Sequence, residues 1–146
     1  MMNSQTKIAK SSKKSVNILY FSSFGKTGRG GQESLFYLVS NLDRNKFGPH
    51  VVVPSDSSLA KRLRGHDIQV SIVKLPKIFD FNIIKKIKAF KNILKLIKKY
   101  NIEILHTDGP RNTFYAGLAA IIKKKPLIWH VRTSERDRFD KLLILL

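Results

Sequence analysis

A glycine-rich loop and two histidines are the residues of this sequence whose types and spacing could do chemistry. The loop, residues 25–31, reads GKTGRGG and separates an apolar run, VNILYF, from an amphipathic segment. Glycines let a backbone approach a ligand closely, and the N-terminus of a following helix favours an anion. His106 and His130 each stand at the end of a short β-forming run, where an imidazole could accept a proton or bind a hydroxyl group.

Familiar phosphate-binding and catalytic motifs do not fit these residues. A Walker A loop needs a glycine five residues before Gly25, where Tyr20 stands, and the dinucleotide fingerprint needs one three residues after Gly30, where Glu33 stands. No Ser-His-Asp grouping and no HExxH-type spacing occurs, so we expect no metal. A flexible turn that leads into a helix, with structural histidines at strand ends, remains the alternative interpretation.

The elements that must position the loop and the histidines alternate along the chain. We expect strands at 16–21, 50–53, 68–73, 103–106 and 126–131, and helices at 32–42, 57–64, 82–100 and 112–122. Such alternation predicts the α/β class: a Rossmann-like parallel sheet flanked by helices, with strand order 3-2-1-4-5. Ligands bind such sheets at the carboxyl ends of the strands, so the glycine loop, His106 and His130 are expected to meet there. His50, at the start of a strand, and His66, in a turn, have no predicted role.

The positive charge is large and uneven. The net charge is +18, and residues 74–99 carry nine lysines against one acid, Asp80. Such a field favours anionic partners: lipid headgroups, phosphates or nucleic acid. Helix 82–100 has an apolar stripe that should pack on the sheet: Ile83, Ile87, Phe90, Leu94 and Ile97, widened by Ile84 and Ile93. Its lysines are therefore expected to form an electrostatic patch for an anionic membrane; the alternative is that they only solvate one face. Nucleic acid is disfavoured, since the aromatic residues are not interleaved with the basic ones.

Composition limits the class of protein further. The chain has no cysteine, which excludes disulfides and thiolate metal sites. Residues 1–15 are polar and basic with no apolar core, which predicts a disordered tail and no secretory signal. The apolar runs are far shorter than the ~20 residues of a membrane span, so we expect a cytoplasmic protein, peripheral at the inner face of the membrane if the lysines bind lipid. The final LLILL has no helix cap and predicts further structure beyond Leu146.

Four segments in order resemble the N-terminal domain of family 4 glycosyltransferases, which have the two-domain GT-B architecture. They cover residues 16–138 and read NILYFSSF, GRGGQESLFYLVSNL, IEILHTDGPRNTFYAGLAA and KKPLIWHVRTSERD. The resemblance implies that residues 16–146 form the acceptor-side Rossmann-like domain. It further implies a nucleotide-sugar donor, held mainly by a C-terminal domain that these residues lack, a glycan or lipid-linked acceptor, and no separate cofactor.

The resemblance also assigns roles to individual residues. His130 matches the catalytic histidine placed near the acceptor hydroxyl and the transferred sugar. The substrate-binding positions that it implies are Gly30 and Gly31 against the donor phosphates or sugar, Glu33 in the first helical turn, His106 and Gly109 on the cleft floor, and Arg132 facing the acceptor or a phosphate.

Three functional interpretations remain open on the sequence. The chain could be part of an enzyme, a non-catalytic remnant or subunit that needs a partner polypeptide, or a basic α/β module that binds anions or nucleic acid. We expect the isolated chain to self-associate, because its final apolar run lacks the layer against which it would pack. We also expect it to have no transferase activity by itself, because the resemblance places the donor site in another domain.

Overall fold

Strands and helices alternate strictly through residues 15–131, the part of the chain that this computed structural model describes. The elements are β1 (Val16–Phe21), α1 (Gly30–Ser40), β2 (Phe47–Val53), α2 (Ser58–Arg64), β3 (Gln69–Ile72), α3 (Ile83–Lys99), β4 (Ile104–Thr107), α4 (Pro110–Lys123) and β5 (Leu127–Trp129). The predicted tail, Arg132 and the apolar run that ends at Leu146 lie outside the described residues.

The five strands form one parallel sheet in the order β3-β2-β1-β4-β5, which confirms the predicted topology. β1 is central, and its last four residues are buried. A short, almost wholly apolar run such as VNILYF is typical of a strand that is covered on both faces. All five carboxyl ends therefore meet at one edge, where the loops that could bind a ligand begin.

Two hydrophobic layers hold the helices on opposite faces of the sheet. Leu19 and Phe21 pack with α3 and α4, whereas Ile18 and Tyr20 pack with α1 and α2. The alternation along β1 follows from the period of two in a strand. We call these two sides the α3–α4 face and the α1–α2 face.

β2 begins at Phe47 and not at His50, so Gly48 and Pro49 lie inside the strand that they were expected to precede. Pro49 pairs with Ile18 of β1, but the pairing of β2 with β3 starts only at His50. The position therefore lies at an edge, where a proline removes no ladder hydrogen bond. β1 has its predicted bounds, and the boundaries of the remaining elements differ from prediction by at most two residues.

α3 is rotated relative to the expected apolar stripe. Ala89, Ile93 and Ile97 are its buried residues, and Phe90 and Leu94 are partly buried against the same cluster. The isoleucines of its first turns, which were expected to pack on the sheet, are exposed: Ile83 by 65%, Ile84 by 79% and Ile87 by 48%. Within the described part of the chain, no helix has the length and apolar character needed to cross a membrane.

Candidate functional site

The glycine-rich loop is anchored on the loop between β2 and α2. Ser57 Oγ donates a hydrogen bond to the Gly25 carbonyl, and the amide of Leu59 donates to the same oxygen at 3.0 Å. A Cβ atom at Gly25 would lie only 2.4 Å from Ser57 Oγ, so the close approach of the two loops requires glycine there. Ser57 is also the N-cap residue of α2, but its side chain makes no cap hydrogen bond.

The second half of the loop leads into α1. Gly28 has φ +87°, a left-handed conformation that favours glycine. Around Gly30, by contrast, a Cβ atom would have no neighbour within 4 Å, so no contact with the described residues explains why this position lacks a side chain. The two glycines therefore differ: the turn accounts for Gly28, while Gly30 begins the helix beside open space.

Glu33, in the first turn of α1, is hydrogen-bonded to the glycine-rich loop. Its Oε1 accepts a hydrogen bond from the amide of Gly28 at 3.1 Å, and its Oε2 lies 2.6 Å from Nη1 of Arg62 on α2. The hydrogen bond from Arg62, followed by that from Gly28, lowers the pKa of the Glu33 carboxyl group. The guanidinium also lies 3.7 Å from the centre of the Phe36 ring. Both carboxylate oxygens of Glu33 therefore have partners within the protein.

His106 and His130 come together, as predicted. Their ring centroids are 5.9 Å apart and the rings are almost perpendicular. His106 lies beside Tyr20 of β1, with ring centroids 5.0 Å apart. Because Tyr20 packs on the α1–α2 face, His106 and His130, which we call the histidine pair, lie on that face too. The amide of His130 donates to the Thr107 carbonyl at 2.8 Å, which continues the β4–β5 alignment beyond Trp129. His130 is exposed, so its imidazole can reach a substrate.

A polar network joins the loops that follow β1 and β4. Oδ1 of Asp108 accepts hydrogen bonds from Ser23 Oγ and Asn112 Nδ2, both at 2.8 Å, and its Oδ2 accepts one from the Ser23 amide at 3.3 Å. Gly109 lies so close that a Cβ atom there would be 2.8 Å from Ser23 Oγ. This network was not predicted from the sequence. Only its Asp108–Asn112 hydrogen bond joins neighbouring positions, four residues apart, whereas its bonds to Ser23 join distant parts of the chain.

The network forms one wall of a cavity of about 710 Å³ at the carboxyl edge of the sheet. Apolar side chains from the ends of β1, β2 and β3 and from the segment before α3 form much of the rest, and Lys77 and Arg111 supply two cations. Val52, Val73 and Leu75 belong to both the cavity wall and the core beneath α3 and α4. The cavity therefore opens on the α3–α4 face.

The predicted site residues are divided between the two faces. Gly109 lines the cavity, whereas the other described candidates do not: Gly30, Gly31, Glu33, His106 and His130. The carboxyl edge of the sheet thus has two regions. The cavity lies on the α3–α4 face, and the glycine loop and the histidine pair lie on the α1–α2 face. Within residues 15–131, no group of histidine, aspartate and glutamate side chains could hold a metal ion.

Comparison with protein families decides which class of protein has this arrangement. The family model described as Glycosyltransferase Family 4 matches residues 28–145. The chain belongs to glycosyltransferase family 4. The match includes α1, both histidines and the cavity-lining loop after β4. No curated protein matches the chain.

Solved structures share the fold of this family 4 chain, a Rossmann-like parallel sheet that matches the N-terminal domains of GT-B glycosyltransferases. A glycosyltransferase from Rickettsia africae is similar with a TM-score of 0.68 and 20% identity over 88% of this chain and 33% of that one. MurG from Acinetobacter baumannii is similar with a TM-score of 0.68 and 13% identity, over 89% of this chain and 39% of MurG. HepE from Anabaena, solved with UDP and glucose, is similar with a TM-score of 0.62 and 18% identity, over 80% of this chain and 30% of HepE. The chain thus spans about a third of the length of these proteins, and the predicted fold class is confirmed.

Proposed function

We propose that this chain is the acceptor-binding part of a glycosyltransferase that moves a sugar from a nucleotide-sugar to a lipid-linked or glycan acceptor. The observation that carries the proposal is the cavity at the carboxyl edge of the sheet in a chain of family 4. A cavity of about 710 Å³ lies within the usual range of small-molecule sites, roughly 300–1,000 Å³.

The lining of the cavity favours an acceptor that is both apolar and anionic. Phe24, Pro54 and Ile78 provide apolar surface, while Lys77 and Arg111 provide positive charge. A guanidinium binds phosphate oxygens in a fork, and an ammonium binds them as a point charge. A sugar that is linked to a lipid through phosphate presents both chemistries, so we place such an acceptor ahead of a free neutral glycan.

On the α1–α2 face, Gly30 is placed to bind the donor, and the histidine pair is placed to take part in the transfer step. The positive end of α1 favours the donor phosphates, and Gly30 leaves room for them. HepE, a structural relative, was solved with UDP and glucose, which supports a nucleotide-sugar as the donor class. During transfer the acceptor oxygen bonds to the anomeric carbon, the bond to the nucleotide diphosphate breaks and the acceptor hydroxyl loses its proton. We assign His130 as the group that accepts this proton from the acceptor hydroxyl. No cofactor is needed.

The acceptor assignment is tested by binding, which requires no donor domain. We expect farnesyl phosphate, a water-dispersible isoprenyl phosphate, to bind the 146-residue chain. Lys77→Gln and Arg111→Gln should each weaken the Kd by about tenfold, since a charge-assisted hydrogen bond contributes roughly 1.5–3 kcal/mol before solvent screening. The measurement is calorimetric or fluorescence titration.

Matched variants make this test specific. Lys61→Gln and Arg44→Gln remove the same charges from exposed positions that do not line the cavity, and they should bind the probe as the parent chain does. Equal weakening by all four variants would reduce the binding to overall charge, and an absence of binding would remove the lipid-phosphate acceptor. Transfer itself is tested with the chain joined to the donor-binding domain of a family 4 relative and a panel of nucleotide-sugars.

A further inference from the structure

The segment that leads into α3 and the first two turns of this helix expose five large apolar side chains. Their exposed fractions are 78% for Phe79, 100% for Phe81, 65% for Ile83, 79% for Ile84 and 48% for Ile87. We call this set the apolar tip. Scattered exposed apolar residues are normal on a protein surface, but a contiguous group of this size marks an interaction site.

The apolar tip has a defined structure. Asn82 caps α3 by accepting a hydrogen bond from the Lys85 amide at 3.0 Å, and its own amide donates to Asp80 at 2.9 Å. Lys86 Nζ donates to the Ile78 carbonyl, which ties the preceding segment to the first turn of the helix. The apolar side chains are therefore presented by a capped and cross-tied helix start.

A row of lysines continues from the apolar tip along the solvent face of α3. Ile84, Lys88, Lys91 and Lys95 follow one another at intervals of four, three and four residues, which places them on one side of a helix, and all four are exposed. The buried side of the helix is that of Ile93 and its neighbours. The exposed face thus begins with apolar side chains and continues with cations.

The chemistry of this face indicates which partner fits it. Nucleic acid would use the lysines but leave five apolar side chains in water, and an apolar protein surface would bury the side chains but leave the lysines without counter-charges. An anionic lipid bilayer offers phosphates at its surface and hydrocarbon just below it. Helices of this mixed character lie in the plane of such an interface.

We propose that the apolar tip inserts into the surface of an anionic bilayer while Lys88, Lys91 and Lys95 contact lipid phosphates. Phe79 belongs to the tip and also lines the cavity, together with Lys77, so the docked chain turns the wall of the cavity towards the lipid. The inference stands on exposure and charge, independently of the proposed transfer. It differs from a purely electrostatic patch because part of the affinity comes from apolar burial.

Cosedimentation with vesicles tests both parts of the face. The 146-residue chain should bind vesicles of phosphatidylcholine with phosphatidylglycerol and not vesicles of phosphatidylcholine alone. Lys88→Gln/Lys91→Gln/Lys95→Gln should lower the affinity by roughly 10²-fold, at about 1 kcal/mol for each basic residue near an anionic surface. Arg44→Gln/Lys61→Gln/Lys123→Gln removes the same charge from other exposed positions and should retain most of the binding.

Insertion is tested separately from charge. Phe79→Ser/Phe81→Ser should lower the affinity by at least about tenfold, because each ring loses apolar burial, while Leu38→Ser, at an exposed position of α1, should not. In a Trp129→Phe background, Phe81→Trp should shift its fluorescence to the blue on anionic vesicles and be quenched by brominated lipid. Unchanged fluorescence, or full binding by the double serine variant, would overturn insertion. Vesicle binding that persists while this variant loses self-association would instead make the tip a contact between copies of the chain.

Discussion

Each face of the sheet holds a histidine against a tyrosine ring, and the two pairs have different surroundings. On the α3–α4 face, His50 lies 4.1 Å from Tyr100 between ring centroids. On the α1–α2 face, His106 lies 5.0 Å from Tyr20. His50 is only 3% exposed and is in the middle of β2, whereas His106 is one residue from the end of β4 and has exposed His130 beside it.

The two histidines differ because of where they lie along their strands: His50 is in the middle of β2, whereas His106 is near the carboxyl end of β4, at the candidate site. Burial, followed by the positive charge of Lys99, lowers the pKa of His50 to about 4, so its ring is neutral near pH 7. Its Nε2 lies 2.9 Å from Ser71 Oγ, and among the described residues no hydrogen bond reaches its Nδ1. The carboxyl edge, by contrast, leaves His130 accessible to a substrate.

The largest effect that would sharpen this comparison is expected at His130. In the chain assembled with a donor-binding domain, His130→Ala should lower kcat by about 10²–10⁴, the range of general acid–base groups. The measurement is initial-rate kinetics with a nucleotide-sugar and the acceptor that the binding test identifies.

A control at Ile128 belongs with this measurement. Ile128 is 48% exposed in β5, and Ile128→Ala should leave kcat close to that of the parent enzyme. Near-normal turnover of His130→Ala would place both histidine–tyrosine pairs in the structural class and break the comparison.

The next effect is a pH dependence of stability from His50. Its pKa in the folded chain is about 4, below about 6.5 in the unfolded chain. Below pH 6.5 the unfolded state therefore binds a proton that the folded state does not, and stability falls until the pH reaches about 4. The difference corresponds to at most about 3 kcal/mol, measurable by urea unfolding across this interval.

Two variants show whether the loss comes from His50. His50→Gln should flatten the stability profile between pH 6.5 and 4, whereas His66→Gln, at an exposed position, should keep the slope of the parent chain. A profile that His50→Gln leaves unchanged would mean that burial of this ring does not control acid stability.

The smallest effect is expected at Glu33. Because its carboxylate is bound by Arg62 and the Gly28 amide, Glu33→Gln should loosen the glycine loop and raise the donor KM a few-fold with kcat little changed. Glu33→Gln/Arg62→Gln should be no worse than the single variants, since both break one interaction. Additive effects on KM, or a large loss of kcat, would indicate direct contact of Glu33 with substrate.

The strand order was predictable because each strand and helix carries a local pattern. The run VNILYF predicts a strand and the long amphipathic run of α3 predicts a helix, and neither prediction needs tertiary information. The start of β2 was not predictable, since Pro49 is tolerated only because β3 pairs later along the strand. The rotation of α3 was missed because Ala89, which is buried, is less apolar than Ile83 and Ile87, which are exposed.

The sequence draws attention to one face of the candidate site more than to the other, where Gly109 is the predicted residue that lines the cavity. The glycine loop and the two histidines stand out by residue type. The network of Ser23, Asp108 and Asn112 depends on hydrogen bonds between positions 85 and 89 residues apart, and common polar residues give no sign of such pairing. The cavity is made mostly of ordinary apolar side chains, so only the folded structure reveals it.

The central position of β1 has a consequence for how the chain is made. The Asn17 amide donates to the Glu103 carboxylate across 86 positions of sequence, so one edge of β1 cannot find its partner until β4 has been synthesised. At ~5–20 residues per second, that delay during translation is roughly 4–17 s. Once β2 has been made, the nascent β1–β2 pair presents an open strand edge for the remainder of that delay, and such an edge can template pairing with another chain. Occupancy of that edge on the ribosome would therefore decide how much newly made protein reaches the folded state.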